Sequence, residues 1–122
     1  MQNKEKRYDL EERTALFGED IIEFVKAIPL NQITTSLVDQ LVRSSSSIGA
    51  NYCEADCAES KKDFIHKLGI CKKESKETKH WLRMIVKAIP GVKEKARILW
   101  KEANELVLIF NAIINKTKLK II

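Results

Sequence analysis

Residues 43–64 read RSSSSIGANYCEADCAESKKDF, and how this stretch is taken decides the fold. Four serines and a glycine suit a flexible linker between two domains. Ser47-Ile48-Gly49-Ala50-Asn51 also suits a phosphate-cradling loop, and Cys53 and Cys57 beside acidic residues suit a metal site. The spacing of the flanking residues selects among these readings.

Leu37, Leu41, Ser45, Ile48, Tyr52 and Ala55 recur at intervals of three and four, so one helical face runs through the serines without a break. Val42, Ser46, Gly49, Cys53 and Cys57 form an adjoining strip of mostly small residues. Such a strip lets a neighbouring helix approach closely, with serine hydroxyls bonding back to carbonyls one turn earlier. Glycine costs about 1 kcal/mol against alanine inside a helix, and a close contact at Gly49 compensates for it. The stretch therefore predicts continuous helix capped by Thr35 or Ser36. A break falls near Ala58-Glu59-Ser60, and Ser60 and Asp63 can cap the next helix.

The same period extends through the rest of the chain. Leu10, Phe17, Ile21, Phe24 and Ile28 mark a first helix, with Asp9 and Glu12 placed as a capping box and Pro29 as its stop. Phe64, Leu68, Cys71, Ser75, Thr78, Leu82 and Ile85 mark a third. Val92, Ala96, Leu99, Ala103, Leu106, Phe110 and Ile113 mark a fourth, separated from the third by Pro90-Gly91. The expected helices cover about 10–28, 36–58, 61–88 and 92–116, with a frayed tail beyond. Short turns and the lack of any period-two run predict an all-α, antiparallel, up-down-up-down four-helix bundle filling 1–122 as a single domain. The chain's 122 residues, with only 4 Gly and 2 Pro, agree with one helical domain.

The polar N-terminus leads to the expectation of no secretory signal, and no apolar run approaches the ~20 residues of a membrane helix, so no membrane is expected as a partner. Three cysteines without framework spacing point to a reducing cytoplasm. Charge is distributed unevenly. Residues 1–60 hold 6 Lys/Arg against 11 Asp/Glu, whereas residues 61–122 hold 16 against 6. An electrostatic partner or charge-matched packing in an assembly follows from that asymmetry.

No constellation argues for an enzyme. A Walker loop or dinucleotide fingerprint needs more glycines than this stretch has, and a strand before them. Glu77-Thr78-Lys79-His80 matches the E-x-x-H of di-iron bundles, and Asp63-Phe64-Ile65-His66 nearly does. Both lie on one helix ~21 Å apart and face away from the core seam, so surface histidines are the better reading. Cys53 and Cys57 lack two further zinc ligands, and Cys71 lies on the seam as a small hydrophobe. Neither a metal nor another cofactor is expected.

The positive signal is the helix at 61–87, with nine Lys/Arg against three Asp/Glu. Lys72, Lys76, Lys79 and Arg83 repeat at four, three and four, and Lys62, Lys73 and Lys87 add charge nearby. Such a row can neutralise successive phosphates of RNA or DNA and release counterions, without reading sequence. A solvated face paired with Glu74 and Glu77 is the alternative. Apolar residues also lie beside the seams: Ile70, Trp81 and Met84 on the third helix, and Val107, Ile109 and Ile114 on the fourth. Oligomerisation would bury them, as would a wider apolar face within one bundle.

Ser47-Ile48-Gly49-Ala50-Asn51-Tyr52, Glu54-Ala55 and Lys79-His80-Trp81-Leu82, with YDLEERT at residues 8–14, closely resemble the four-helix bundle proteins encoded by intervening sequences in bacterial 23S rRNA genes, also called S23-like. The resemblance runs from Tyr8 to about Asn115. It implies a cytoplasmic homopentamer without catalytic activity. The family is also similar to the accessory variability determinant of diversity-generating retroelements, which implies nucleic acid and a reverse transcriptase as partners. The expected function is nucleic-acid binding through backbone charge; the alternative is a protein-interaction scaffold.

Overall fold

The structure, a computed structural model, describes the backbone of residues 2–121 and the side chains of residues 10–120. Four α-helices account for nearly all of it: α1 Gln2–Lys26, α2 Gln32–Asp56, α3 Lys61–Ala88 and α4 Lys93–Ile121, with one 3-10 turn at Pro90–Val92. No strand occurs among the described residues.

Residues 43–56 belong to one uninterrupted helix, so the serine run is no linker. Each hydroxyl in its first three positions bonds back along the helix: Ser44 to Leu41, Ser45 to Val42, and Ser46 to Val42. These short side chains leave room for neighbours. A Cβ built on Gly49 would stand 3.3 Å from Thr14 Oγ1 and 3.6 Å from the Thr14 carbonyl carbon, so α1 and α2 meet closely there.

Helix ends depart from the sequence reading in three places. The backbone of α1 is already helical from Gln2, so Asp9 lies inside the helix; a capping role for its side chain lies outside the described residues. α2 begins four residues earlier than expected because Asn31, not Thr35 or Ser36, is its cap. Asn31 Oδ1 accepts from the amides of Ile33 and Thr34, while Thr34 Oγ1 accepts from the Asn31 amide and donates to the Pro29 carbonyl. Threonine here takes the reciprocal place usually held by Glu or Gln in a capping box. α4 continues helical through the expected frayed tail to Ile121. At α3 the expected cap is present, Ser60 Oγ accepting from the Asp63 amide at 3.0 Å; Asp63 lies in the first turn, where an acidic side chain complements the helix dipole.

All four helices contribute to one core. Phe17, Ile21, Leu41, Ile48, Leu68, Leu82, Ile85, Leu106 and Phe110 are its large buried members. Small and polar residues fill the α2–α3 contact, where Ser44 Oγ lies 2.9 Å from Thr78 Oγ1. Cross-contacts fall in opposite order along neighbouring helices. From α2 to α3, Ser44 meets Thr78, Ile48 meets Cys71, and Glu54 meets Lys67. From α3 to α4, Lys72 meets Asn111 and Lys79 meets Asn104. α1 is tied to α4 by a bidentate pair, Arg13 donating from Nε and Nη2 to both carboxylate oxygens of Glu102 at 2.6 and 2.8 Å.

Candidate nucleic-acid interface

The periodicity of α3 turns Leu68, Cys71, Ser75, Thr78 and Leu82 inward, and so sends most of its lysines outward or sideways. The expected stripe then divides into two kinds of residue. Lys72 and Lys79, one heptad apart, lean sideways onto α4 and are half-buried. Lys72 Nζ donates to Asn111 Oδ1 and Lys79 Nζ to Asn104 Oδ1, each at 2.8 Å. Lys62, Lys73, Lys76, Arg83 and Lys87 are exposed and have no ion pair among the described residues.

Glu74 and Glu77, the acids expected to pair with the stripe, point the other way. Both face Arg43 of α2, Glu77 Oε1 at 3.2 Å and Glu74 Oε1 at 3.9 Å. Glu74 is buried, and burial raises its carboxyl above the usual carboxylate range; Glu77 adds to the rise, while Arg43 and Lys73 oppose it. Lys73 lies near enough to act on Glu74, but none of the α3 cations on the α4 side forms an ion pair with either carboxylate among the described residues.

Between α3 and α4 these residues line a groove of about 600 Å³. Lys72, Lys73 and Lys76 form one wall, Lys118, Asn111 and Asn115 face them from α4, and Gly69 leaves its floor open. Among the described residues no carboxylate lines this groove. Four ammonium groups and two amides make a surface of hydrogen-bond donors suited to successive phosphate oxygens. Farther along the same pair of helices lies a second, more apolar cavity of about 320 Å³, bounded by Leu82, Val86, Ala96 and Trp100 with Arg83, Lys93 and Arg97 around it. Lys118, Asn111, Asn115, Trp100, Lys93 and Arg97 went unnoticed in the sequence reading. The basic excess after residue 60 was the available signal, but which α4 face meets α3 depends on packing.

The opposite sign gathers elsewhere. Glu12, Asp20 and Glu102 line a groove of about 440 Å³ between α1 and α4, together with Arg13 and Leu16.

The apolar residues singled out beside the seams do not stay together. Val107 and Ile114 are buried by the chain's own helices, so they are not available as surface in the single chain. Ile70, Trp81, Met84 and Ile109 are half-buried. The buried Trp81 Nε1 has no acceptor among the described residues. The strongly exposed apolar side chains are others: Leu16 and Ile22 on α1, Leu30 and Ile33 around the first turn, and Ile98, Trp100, Leu108 and Leu119 on α4.

Among the described residues no group of three or more His, Cys, Asp or Glu side chains could hold a metal ion. His66 and His80 are exposed, and His80 packs edge-on against Trp81 with centroids 4.9 Å apart. No described helix is long and apolar enough to cross a membrane.

Known proteins place this geometry in context. No curated protein matches the chain. A crystal structure of a protein of unknown function from the S23 ribosomal protein family, from Bacteroides thetaiotaomicron, is similar with a TM-score of 0.76 and 28% identity, covering 86% of this chain and 97% of that one. The model of the 23S rRNA-intervening sequence protein family matches residues 6–112. The chain belongs to the 23S rRNA-intervening sequence protein family.

Proposed function

We propose that this protein is a non-enzymatic, cytoplasmic nucleic-acid-binding protein that holds RNA or DNA by its phosphate backbone. The observation that carries the reading is the α3–α4 groove, where Lys72, Lys73, Lys76 and Lys118 converge with no carboxylate among the described lining residues. Exposed Arg83 and Lys87 extend the charge along α3. Each neutralised phosphate releases counterions, so the expected binding weakens steeply with salt and varies little with base sequence. Titration of labelled RNA and DNA of several sequences between about 50 and 200 mM salt tests this. Salt-sensitive, sequence-tolerant binding supports it, and no binding at the lowest salt overturns it.

The proposed architecture is an antiparallel up-down-up-down bundle assembled into a homopentamer. The reversed order of cross-contacts from α2 to α3 and from α3 to α4 supports the topology. Self-association is supported by the exposed Leu16, Ile98 and Leu108, and by an acidic α1–α4 groove opposite in sign to the basic one. Complementary, non-identical surfaces favour a ring of copies over a two-fold pair. Mass in solution distinguishes a pentamer from a monomer.

A second reading is a scaffold that docks a protein partner such as a reverse transcriptase. The exposed Ile98 and Leu108 favour it. A partner from the native host retained after nuclease treatment supports the scaffold; one lost with the nucleic acid supports direct binding.

A further inference from the structure

The cavity at the far end of the α3–α4 face differs from the lysine groove in one chemical respect. Its surface is largely apolar, from Leu82, Val86, Ala96 and the Trp100 ring, yet its apolar lining is ringed by Arg83, Lys93 and Arg97. Among the described residues the one carboxylate paired with that rim is Glu94, on the helical turn before Arg97 and 4.0 Å from its guanidinium. Trp100 is 39% exposed; Lys79 Nζ stands over its ring, 4.6 Å from the centroid, and donates to Asn104. The result is an accessible indole bordered by three cations of the cavity and contacted by a fourth, Lys79. It offers a flat apolar face to a ligand that is itself flat and carries negative charge on either side.

An unpaired nucleobase within a phosphate chain has that form. Base–aromatic stacking is indifferent to sequence because every base presents a π-face, and arginines beside the ring add cation–π attraction and phosphate contacts. In a duplex the bases are stacked on one another and cannot enter such a cavity. The volume of about 320 Å³ lies at the lower end of small-ligand sites. We infer that the Trp100 cavity accepts a single unpaired base of RNA or DNA, so that this protein prefers single strands to duplexes. The inference rests on the reading of the α3–α4 face as a phosphate-binding surface, and it adds what that surface selects.

The lysine groove and the Trp100 cavity divide the work. Lys73 and Lys76 stand about two to three helical turns from Arg83 on α3, so a strand lying along the helix reaches both. The groove contributes charge to any nucleic acid, and the cavity adds affinity only for a strand with an exposed base.

The test uses the full chain with fluorescein-labelled single strands, the matching duplexes, and single strands carrying one abasic position, in RNA and DNA forms. Each is titrated against wild type, Trp100→Ala, Trp100→Phe and the pair Lys73→Glu/Lys76→Glu. Wild type is expected to bind single strands more tightly than duplexes. Trp100→Ala should lose roughly five- to hundred-fold in single-strand affinity, the range of base–aromatic stacking, and leave duplex binding within about two-fold. Trp100→Phe should retain most of the preference, which a loss of folding would not allow. The lysine pair should weaken both forms alike.

Equal affinity of wild type for single strands and duplexes overturns the cavity proposal and leaves the phosphate-binding reading intact. So does a Trp100→Ala variant with unchanged single-strand affinity. Dissociation of an oligomer by Trp100→Ala, with binding per subunit preserved, also overturns it, because a second copy of the chain then covers the cavity. Failure of wild type to bind either form at low salt removes the phosphate-binding reading itself.

Discussion

Lys79 holds its ammonium 4.6 Å from the centre of the Trp100 ring, joining α3 to α4 through a cation–π contact. The same ammonium donates to Asn104 at 2.8 Å. A residue that looks from its spacing like one of several equivalent surface charges is therefore a structural link as well. Lys79→Ala should cost about 1 kcal/mol, from the cation–π contact and the hydrogen bond together. Lys76→Ala, exposed and unpaired, should stay within about 0.5 kcal/mol of wild type. Urea denaturation of the two variants measures the difference, and equal midpoints would remove Lys79 from the α3–α4 contact.

Gly49 and Gly69 both lie inside helices, yet only Gly49 is crowded. A Cβ on Gly49 meets Thr14 Oγ1 at 3.3 Å, and that hydroxyl is held by the carbonyls of Leu10 and Glu11. A Cβ on Gly69 meets nothing within 4 Å. Gly69→Ala should therefore raise stability by about 1 kcal/mol through helix propensity alone. Gly49→Ala should gain little or nothing, and Gly49→Leu should lose about 1–3 kcal/mol by overpacking. Parallel denaturant titrations decide the matter; an equal gain from both alanines would mean that α1 and α2 are not in close contact.

The buried Glu74 carboxyl makes stability depend on pH. Among the described residues its Oε1 has no hydrogen bond, and the cation paired with it is Arg43 at 3.9 Å. Burial raises its pKa, so the folded chain holds this proton more tightly than the unfolded chain does. Its contribution is thus most favourable below the unfolded glutamate range, and is lost as pH rises toward the raised value. Glu74→Gln removes that dependence. Relative to wild type it should become more stable between acid and neutral pH, by about 1 kcal/mol at neutrality. Thermal or urea unfolding of both proteins across this range measures the trend, and a difference constant with pH would contradict it.

The three cysteines should separate by reactivity. Cys53 and Cys57 are exposed, whereas Cys71 is buried, donates to the Ile48 carbonyl, and has its thiol pushed up to about 12 by burial. A thiol reagent at pH 8 should titrate two groups rapidly in the folded protein and the third only after unfolding. Three equally fast groups would show that the α2–α3 contact opens readily.

How much of this was legible in the sequence follows from what each feature depends on. The core faces were readable because burial imposes the helical period, and Leu41, Ile48, Leu68, Leu82, Leu106 and Phe110 all lie on expected seams. The start of α2 was not, because Thr34 acts as the reciprocal partner of Asn31 in a role the usual pattern gives to Glu or Gln. The basic α3 was evident from its charge count. Its division into Lys72 and Lys79, which lean sideways onto α4, and outward Lys73, Lys76 and Arg83 was hidden, since it depends on which α4 residues stand opposite. Asn104 and Asn111 are unremarkable in the sequence and decisive in the fold. For the same reason Val107 and Ile114 looked like surplus apolar surface and are in fact covered within the chain.

The central claim is that the exposed cations of α3 hold nucleic acid through its phosphates, and the salt dependence of binding tests it most directly. Wild type is compared with Lys73→Glu/Lys76→Glu/Arg83→Glu, three exposed positions without an ion pair among the described residues. Affinity for one single-stranded oligonucleotide should fall linearly with salt on logarithmic axes. The triple reversal should reduce that slope by about 2 to 3, at ~0.7–0.9 per phosphate contact removed. An unchanged slope and affinity in the variant, or no binding by wild type at low salt, would contradict the account.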